Sequence, residues 1–280
     1  MRMRRLTVLS LLIATMLAAA GCATSSKKKP EVSKAPEALT RLQGALKSAR
    51  DAAAREPDNA ERQYQLGNAL FDLQRYDEAR ISYEAAIKLS PEYGSAHCNL
   101  GLCLRFLGLV PQAIEEYRKA IAIDSNDITT RYNLIAALEV SGDFDGVVKE
   151  LQQFSELQPE DVQVAAHLAN ALFRVGRYKE AANAFEKVLR LDPGRADHYY
   201  NLGLCFFCME NWDAALATWL IALAHDLKHA STNKGLAVVY WKRGDYRQAW
   251  ETVAHCQALG IPLDSDFIAN LQKDSGQQGP

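Results

Sequence analysis

The sequence lacks the short motifs that carry most enzyme chemistry. It contains no Gly-x-Ser-x-Gly turn, no glycine-rich loop of the kind that cradles phosphate, and no nucleophile with a base placed beside it. Positive charge is not in excess either, because the formal net charge is −2 at pH 7. These absences predict a protein that is not an enzyme, needs no cofactor or metal, takes no small-molecule substrate and does not bind nucleic acid.

The sequence also lacks an even number of cysteines after its N-terminal segment. The sequence has six cysteines, and the first, Cys22, lies in a segment with the composition of an export signal. The other five cannot all pair within one exported chain. We therefore expect at least one free thiol.

Residues 1–21 have the organisation of a secretory signal peptide. Residues 1–5 are basic, residues 6–20 carry no charge, and the run ends in small residues before Cys22. A helix of fifteen residues spans only about 23 Å, against roughly 30 Å of hydrocarbon in a bilayer. The segment is therefore predicted to be a signal peptide and not a permanent membrane span.

Residues 17–22, Leu-Ala-Ala-Ala-Gly-Cys, resemble the lipobox at which bacterial lipoproteins are cleaved and acylated, although Ala19 stands where leucine is most common. The resemblance implies that Cys22 carries a lipid anchor. Ala23 after it implies delivery to the outer membrane, facing the periplasm. Residues 22–36 would form the lipidated cysteine and a flexible tether, because they offer almost nothing large and apolar to bury. The alternatives are an ordinary signal peptide with an incidental cysteine, and a cytosolic protein.

The rest of the chain repeats every 34 residues without insertion or deletion. Each unit has leucine at its seventh place, and the eighth place is small in every unit but the third, which has Ile135. The twentieth and twenty-seventh places are mostly small as well. Small residues let two antiparallel helices approach closely, so each unit is predicted to be a helix pair. The six units are 60–93, 94–127, 128–161, 162–195, 196–229 and 230–263.

Glycine marks the turn between the two helices in four units. These residues are Gly108, Gly142, Gly176 and Gly244. Each fits a position after a helix end that favours positive φ. Units one and five have Gln74 and Glu210 at this place instead.

These features resemble the tetratricopeptide repeat family over residues 60–263. The resemblance implies an all-α fold, a right-handed superhelical solenoid of six helix-turn-helix units whose first helices line a concave groove. Because no unit can bury its own face, we expect an N-terminal capping helix over 37–57, formed by a partial repeat, and a C-terminal capping helix and tail over 264–280. The residues predicted to face inward from the caps are Ala45, Ala49 and Ala52, and Phe267, Ile268 and Leu271.

Unit three, residues 128–161, is atypical. Ile135, Val147 and Phe154 are large residues at three places that are normally small. Overpacking is expected to push its helices apart, which predicts a local change of superhelical curvature.

The resemblance also places a set of side chains in the groove, at the second, fifth, ninth, twelfth and thirteenth places of the units. Aromatic rings beside guanidinium and amide groups suit a groove that grips an extended peptide or a partner helix. Rings at the fifth and twelfth places also support neighbouring helices in this family, which is the alternative role. The predicted groove residues are Tyr64, Asn68, Phe71, Arg105, Phe106, Tyr132, Asn170, Phe173, Arg174, Tyr200, Phe207, Lys234, Trp241 and Lys242.

A chaperone-binding subfamily grips an acidic C-terminus, and the chain resembles it only in part. Asn68 and Asn99 agree with its clamp. Tyr64, however, stands where that clamp needs lysine, and Thr129 and Asn133 replace its other cations. An acidic chaperone tail is therefore not the expected ligand.

Two pairs of residues have the spacing of a redox or metal site. Cys205 and Cys208 form a Cys-x-x-Cys sequence, but Cys205 is the tenth residue of its unit and does not begin a helix, where its pKa would be lowered. His225 and His229 are four residues apart and have no evident third ligand. We interpret both pairs as structural, and a thiol or metal-binding protein acting through Cys205 and Cys208 is the alternative function.

Taken together, the sequence predicts a lipid-anchored scaffold that binds proteins in the bacterial envelope. By analogy with tetratricopeptide lipoproteins, such a scaffold would assist assembly of an envelope complex, such as a type IV pilus secretin or cell-wall enzymes.

Overall fold

The computed structural model describes residues 35–277. Within that range every regular element is an α-helix, and there are fourteen of them. The first seven are α1 Ala35–Arg55, α2 Ala60–Asp72, α3 Tyr76–Leu89, α4 Gly94–Phe106, α5 Val110–Ile123, α6 Ile128–Ser141 and α7 Phe144–Leu157. The others are α8 Val162–Arg174, α9 Tyr178–Leu191, α10 Ala196–Cys208, α11 Trp212–His225, α12 Ala230–Arg243, α13 Tyr246–Ala258 and α14 Ser265–Ser275.

Each 34-residue unit contains two helices, so the helix pairs follow the period of the sequence. The predicted all-α repeat fold is confirmed. Residues 1–34, which hold the predicted signal peptide, Cys22 and most of the tether, lie outside the described residues. Among residues 35–277, no helix combines the length and the apolar character that a bilayer crossing requires.

The chain divides into two compact bodies after Leu157, at the end of unit three. The first body comprises residues 35–157, with α1 and units one to three. The second body comprises residues 158–277, with units four to six and α14. The predicted change of curvature in unit three stays a prediction.

Inside the units, the small residue at the eighth place makes room for a ring from the second helix. A Cβ on Gly67 would lie 2.5 Å from Cε1 of Tyr83, and one on Gly203 would lie 2.4 Å from Nε1 of Trp219. The twenty-fourth place is aromatic in units one, two, four and five and is valine in unit six. Where a ring stands there, the volumes of the two places are coupled. The small residues predict close approach of the two helices, and the ring that fills the space beside them was not predicted.

Unit three exchanges the two volumes. Its eighth place is Ile135, and its twenty-fourth place is Leu151 in place of a ring. Both side chains are buried, as are Val147 and Phe154. The smaller Leu151 offsets the larger Ile135, so the prediction of overpacking left out a compensating substitution.

The turns between helices have left-handed backbone where glycine was expected. The φ angles are 78° at Gly108 and Gly176, 79° at Gly142 and 82° at Gly244. Gln74 and Glu210 take the same conformation with φ of 59° and 58°. The turn geometry is thus kept in units one and five without the residue that favours it.

The two end helices cover the terminal units. Phe267 and Leu271 of α14 are buried, as predicted, and the indole N–H of Trp250 donates to Ser275 Oγ over 3.2 Å. The register of α1 differs from the prediction. Leu46 and Ala53 are its buried residues, and Ala45, Ala49 and Ala52 lie at the margin of that face or outside it. Leucine at position 46 sets the buried stripe because it removes more apolar surface from water than alanine does.

Candidate partner-binding surface

In the first body, the first helices of units one and two are joined by a network of amides and hydroxyls. Asn99 Nδ2 on α4 donates to Asn68 Oδ1 on α2 over 2.8 Å and to the Tyr64 hydroxyl over 3.0 Å. The hydroxyl of Tyr83 also donates to Asn68 Oδ1, over 2.9 Å. Burial raises the pKa of Tyr83, which keeps this hydroxyl protonated as a donor. Asn99 is therefore part of the candidate partner-binding surface, although it was not among the predicted groove residues.

Aromatic rings continue the surface on both sides of this network. The ring centroids of Tyr64 and Tyr93 are 4.9 Å apart, and the Tyr93 hydroxyl donates to the carboxylate of Glu61. Burial, followed by this bond to a carboxylate, raises the pKa of Tyr93. The pair fixes α2 against the residues that precede α4.

A second group of rings lies at the other end of α2 and α4. Phe106 stacks on Tyr76 with centroids 4.9 Å apart and an interplanar angle of 9°, and Phe71 meets both rings edge-on. Phe106 is nevertheless 52% exposed. The Arg105 guanidinium carbon lies 5.3 Å from the Phe106 centroid. This cluster therefore presents an apolar ring beside a cation.

Unit three adds one further exposed ring to the first body. Tyr132 is 40% exposed and packs edge-on against Phe154, with centroids 5.1 Å apart. Phe154 is itself buried. Phe154 thereby holds the Tyr132 ring in place, and part of Tyr132 stays accessible to solvent.

A pocket of about 340 Å³ lies between α2 and α4, beside the amide network. Its walls combine amide, carboxylate and apolar side chains, which can hydrogen-bond the backbone of an extended peptide and contact its apolar side chains. The lining residues are Asn68, Phe71, Asp72, Tyr83, Asn99 and Leu102.

In the second body, three of the predicted groove rings are buried. Phe173, Tyr200 and Phe207 are 3%, 5% and 4% exposed. Phe173 packs against Tyr178 at 5.1 Å, and Phe207 packs against Trp212 at 4.9 Å. In the free chain these rings support helix pairs, which is the alternative role that the family suggests. Their contact with a ligand stays a prediction.

Trp241 of α12 is partly covered by the C-terminal helix. Its indole N–H donates to Asp274 Oδ2 over 3.0 Å, and Phe267 meets its ring edge-on at 5.7 Å. Lys242 Nζ lies 4.2 Å from the centroid of the same ring. α14 therefore occupies part of the surface that Trp241 was predicted to offer.

The remaining predicted residues of the second body lie at or near the surface. Arg174 is exposed, and Asn170 and Lys234 are half-buried. Together with Trp241 and Lys242 they are the accessible members of the predicted set in this body.

Burial argues against thiol chemistry at Cys205 and Cys208. It raises the pKa of Cys205 and raises that of Cys208 to about 12. At neutral pH both side chains are therefore protonated, whereas the thiolate is the form that attacks disulfides and binds metals.

The two histidines at the boundary of units five and six have separate partners. His229 lies with Nε2 3.0 Å from Asp197 Oδ1 and Nδ1 2.6 Å from Thr232 Oγ1, at the start of α12. Burial alone would raise the pKa of Asp197, but the hydrogen bonds from His229 and Arg195 hold it below its usual value. Thr232 is fully buried, so this Asp-His-Thr arrangement is a helix cap without access to substrate.

His225 stacks on Tyr199 with ring centroids 4.9 Å apart, whereas His229 contacts Asp197. Among residues 35–277, no group of three side chains has the placement of a metal site.

Comparison with known proteins agrees with this architecture. A family model described as tetratricopeptide repeat matches residues 34–93, 64–128 and 167–207. The chain belongs to the tetratricopeptide repeat family. Members of this family act as scaffolds for contacts between proteins, and this is the general function of the chain.

One relative of this tetratricopeptide repeat protein is the small glutamine-rich tetratricopeptide repeat-containing protein 2 of Mycosarcoma maydis. The two are 29% identical over 179 residues, which cover 55% of this chain and 50% of the relative. The chain thus spans about half the length of that protein.

Two solved structures share the fold. YrrB, described as a TPR protein with an unusual peptide-binding site, is 22% identical with a TM-score of 0.55, over 67% of this chain and 97% of YrrB. The C-terminal part of a TPR repeat-containing protein from Cytophaga hutchinsonii is 17% identical with a TM-score of 0.64, over 82% of this chain and 95% of that chain. At these identities the likeness concerns the fold alone.

Proposed function

We propose that this chain is a lipid-anchored scaffold that binds an extended peptide or a partner helix on the first-helix surface of its first body. The observation that carries the proposal is Phe106, which is held by stacking on Tyr76 and is still 52% exposed. A large ring that is fixed before binding loses little side-chain entropy on binding, so it suits an anchor.

The amide network beside this ring supports a peptide ligand. Asn68 and Asn99 hold one another at 2.8 Å and line the pocket of about 340 Å³. Amide side chains that are already oriented can exchange hydrogen bonds with the backbone of an extended chain. Phe106 and Tyr132 would then contact apolar side chains of the same ligand.

A pull-down with a matched pair of variants tests the surface. The bait is the full chain with Cys22→Ser, incubated with envelope proteins, and the recovered partner is then titrated by fluorescence anisotropy. Phe106→Ala should weaken binding at least about tenfold, which corresponds to about 1.4 kcal/mol. Ile81→Ala is the control, because Ile81 is 60% exposed on α3, a second helix of the same body, and lies outside the predicted set.

Equal affinity of the Phe106→Ala variant and the parent would reject the first body as the binding surface. Loss of binding by Lys242→Ala alone would move the site to the accessible residues of the second body.

The anchor is proposed from the resemblance of residues 17–22 to a lipobox, with the chain placed at the outer membrane, facing the periplasm, where it assists assembly of an envelope complex. Metabolic labelling with a palmitate analogue, followed by membrane fractionation, tests this step. Cys22→Ser should abolish the label and release the chain from membranes. Continued membrane association of this variant would contradict lipidation and leave the peptide-binding proposal standing.

A further inference from the structure

The outer face of α11, the second helix of unit five, is apolar and exposed. Leu220 and Ile221 are 48% and 47% exposed, and Ala217 and Ala224 are exposed on either side of them. No acidic or basic side chain other than the terminal His225 lies between Asp213 and the end of the helix. A contiguous apolar patch on a folded surface indicates a contact surface.

The repeat does not require a wholly apolar face there, because each of the other five units has at least one charged side chain at the same four places. Unit four has three, Glu186, Lys187 and Arg190. In unit one the corresponding residues are Ile81, Glu84, Ala85 and Lys88. The face of α11 is therefore particular to unit five.

The pattern of α11 is symmetric about the midpoint between Leu220 and Ile221. Reversal of the helix about this point exchanges Leu220 with Ile221 and Ala217 with Ala224, so large residues again meet large and small meet small. Asp213 near the start of α11 and Lys228 in the turn after the helix are exposed residues of opposite charge, at equal sequence distances from this midpoint. An antiparallel copy of the helix would thus match the patch in volume and would bring residues of opposite charge to each end of the pair.

We propose that this face binds a second copy of the same chain, with the two α11 helices antiparallel about a twofold axis at Leu220 and Ile221. In this arrangement the start of each α11, which carries Asp213, lies beside the end of the other α11, and Lys228 follows in the turn after that end. Twofold contacts of this kind use one surface patch twice, which a symmetric pattern satisfies. Asp213 also pairs with Arg243 of its own chain at 2.9 Å and is 85% exposed, so a second cation can reach it.

The size of the patch determines how tightly two copies are expected to associate. α11 has 14 residues and is about 21 Å long at 1.5 Å per residue. One helix pair of this length buries less than the roughly 800 Å² per partner of a standard interface. The dimer should therefore dissociate on dilution, with a dissociation constant on the order of tens of micromolar.

Sedimentation equilibrium of the full chain with Cys22→Ser, over about 2–200 μM, tests the dimer. The parent should pass from monomer to dimer, and Leu220→Glu should raise the dissociation constant at least about tenfold. Ile81→Glu is the matched control, because Ile81 is an apolar residue 60% exposed on the second helix of unit one. It should leave the dissociation constant unchanged. Circular dichroism of each variant shows that the fold is kept.

A charge exchange tests the antiparallel register. Asp213→Lys and Lys228→Asp should each weaken self-association, because each places like charges opposite one another. An equimolar mixture of the two variants should dimerise again, since both contacts then join Asp with Lys. A parent that stays monomeric at about 200 μM overturns the proposal, as does a mixture that associates no better than its components. Monomers that bind anionic vesicles through Leu220 also overturn it and assign the face to a lipid surface.

These outcomes do not depend on the proposed peptide surface. Leu220 lies in the second body, whereas Phe106 lies in the first.

Discussion

Units one and five share tyrosine, leucine and glycine at the fifth, seventh and eighth places and use their rings differently. Tyr64 is followed by Leu66 and Gly67 in unit one, and Tyr200 is followed by Leu202 and Gly203 in unit five. Tyr64 is half-buried and takes part in an amide network, whereas Tyr200 is buried.

The residue at the twenty-fourth place contributes to the difference. In unit one it is Tyr83, which reaches Asn68 with its hydroxyl. In unit five it is Trp219, whose indole N–H donates to the backbone oxygen of Tyr200 over 3.0 Å. The indole also packs 5.7 Å from Phe207. The ninth place differs as well, since unit five has leucine where unit one has Asn68. Changes at two repeat places therefore accompany the change from an accessible polar surface to a closed apolar core.

Removal of the Trp219 indole is expected to have the largest effect on stability. Trp219→Ala should lower the free energy of unfolding by about 3–5 kcal/mol, because a fully buried side chain leaves a large cavity. The chain has four tryptophans, all in the second body, so urea denaturation followed by their fluorescence reports on that body. Leu220→Ala, an exposed neighbour, should stay within about 0.5 kcal/mol of the parent. A Trp219→Ala cost below that of Leu220→Ala would show that the core is not held by the indole.

A milder change acts on the glycine that faces the indole. Gly203→Ala should cost about 1–3 kcal/mol, because the added Cβ would lie 2.4 Å from Trp219 Nε1. Trp219→Phe in the same chain should recover part of this loss, since unit four combines Ala169 with Phe185 at these places.

Urea denaturation of the two single variants and of the double variant checks this coupling. The control is Gly44→Ala in α1, which meets no atom within 4 Å and should stabilise by about 0.5–1 kcal/mol. Additive costs of the two unit-five substitutions would contradict the volume coupling.

Glycine at the turns of units one and five should stabilise both. Gln74→Gly should raise the free energy of unfolding by about 1 kcal/mol, because a side chain at positive φ is strained. Glu210→Gly should give a similar or smaller gain. Tryptophan fluorescence should detect only the second change and circular dichroism both. Gly244→Ala should act in the opposite direction, and a neutral result for all three would contradict strain at these turns.

The smallest expected effect concerns the hydroxyl of Tyr83. Tyr83→Phe should cost about 0.5 kcal/mol at pH 7, because Asn68 Oδ1 still accepts from Asn99. Burial raises the pKa of Tyr83, so the unfolded chain ionises first as pH rises through about 10 and stability falls. Tyr83→Phe should therefore reduce the loss of stability between pH 9 and pH 11, measured by urea denaturation followed by circular dichroism. An unchanged pH profile would show that other groups dominate it.

Much of the candidate surface was predictable from the sequence, and its accessibility was not. Phe106 and Phe207 were both assigned to the groove from their places in the repeat. The first is exposed, whereas the second lies against Trp212 and Trp219. Periodicity predicts which helix a residue belongs to and which face of that helix it lies on. The exposed fraction of its ring depends on side chains that pack on it from other helices.

The buried stripe of α1 shows the same limit. Its alanines fit the phase of a second helix, but Leu46 fixed the face that packs on α2. Asn99 could have been found, because it lies on a first helix beside Asn68 of the preceding unit, but its bonds to two partners needed coordinates.

The sequence alone determined the 34-residue period, the helix pairs, and the turns at which the backbone takes positive φ. These features depend on local propensities and spacing, which are properties of the individual residues and of their positions along the chain. Only the tertiary structure decided which rings stay accessible. Trp219 reaches Gly235 of the following unit, where an added Cβ would lie 3.0 Å from its ring, so its burial depends on a residue in another repeat. Side-chain volume is shared between units, and no single unit contains the information that closes its core.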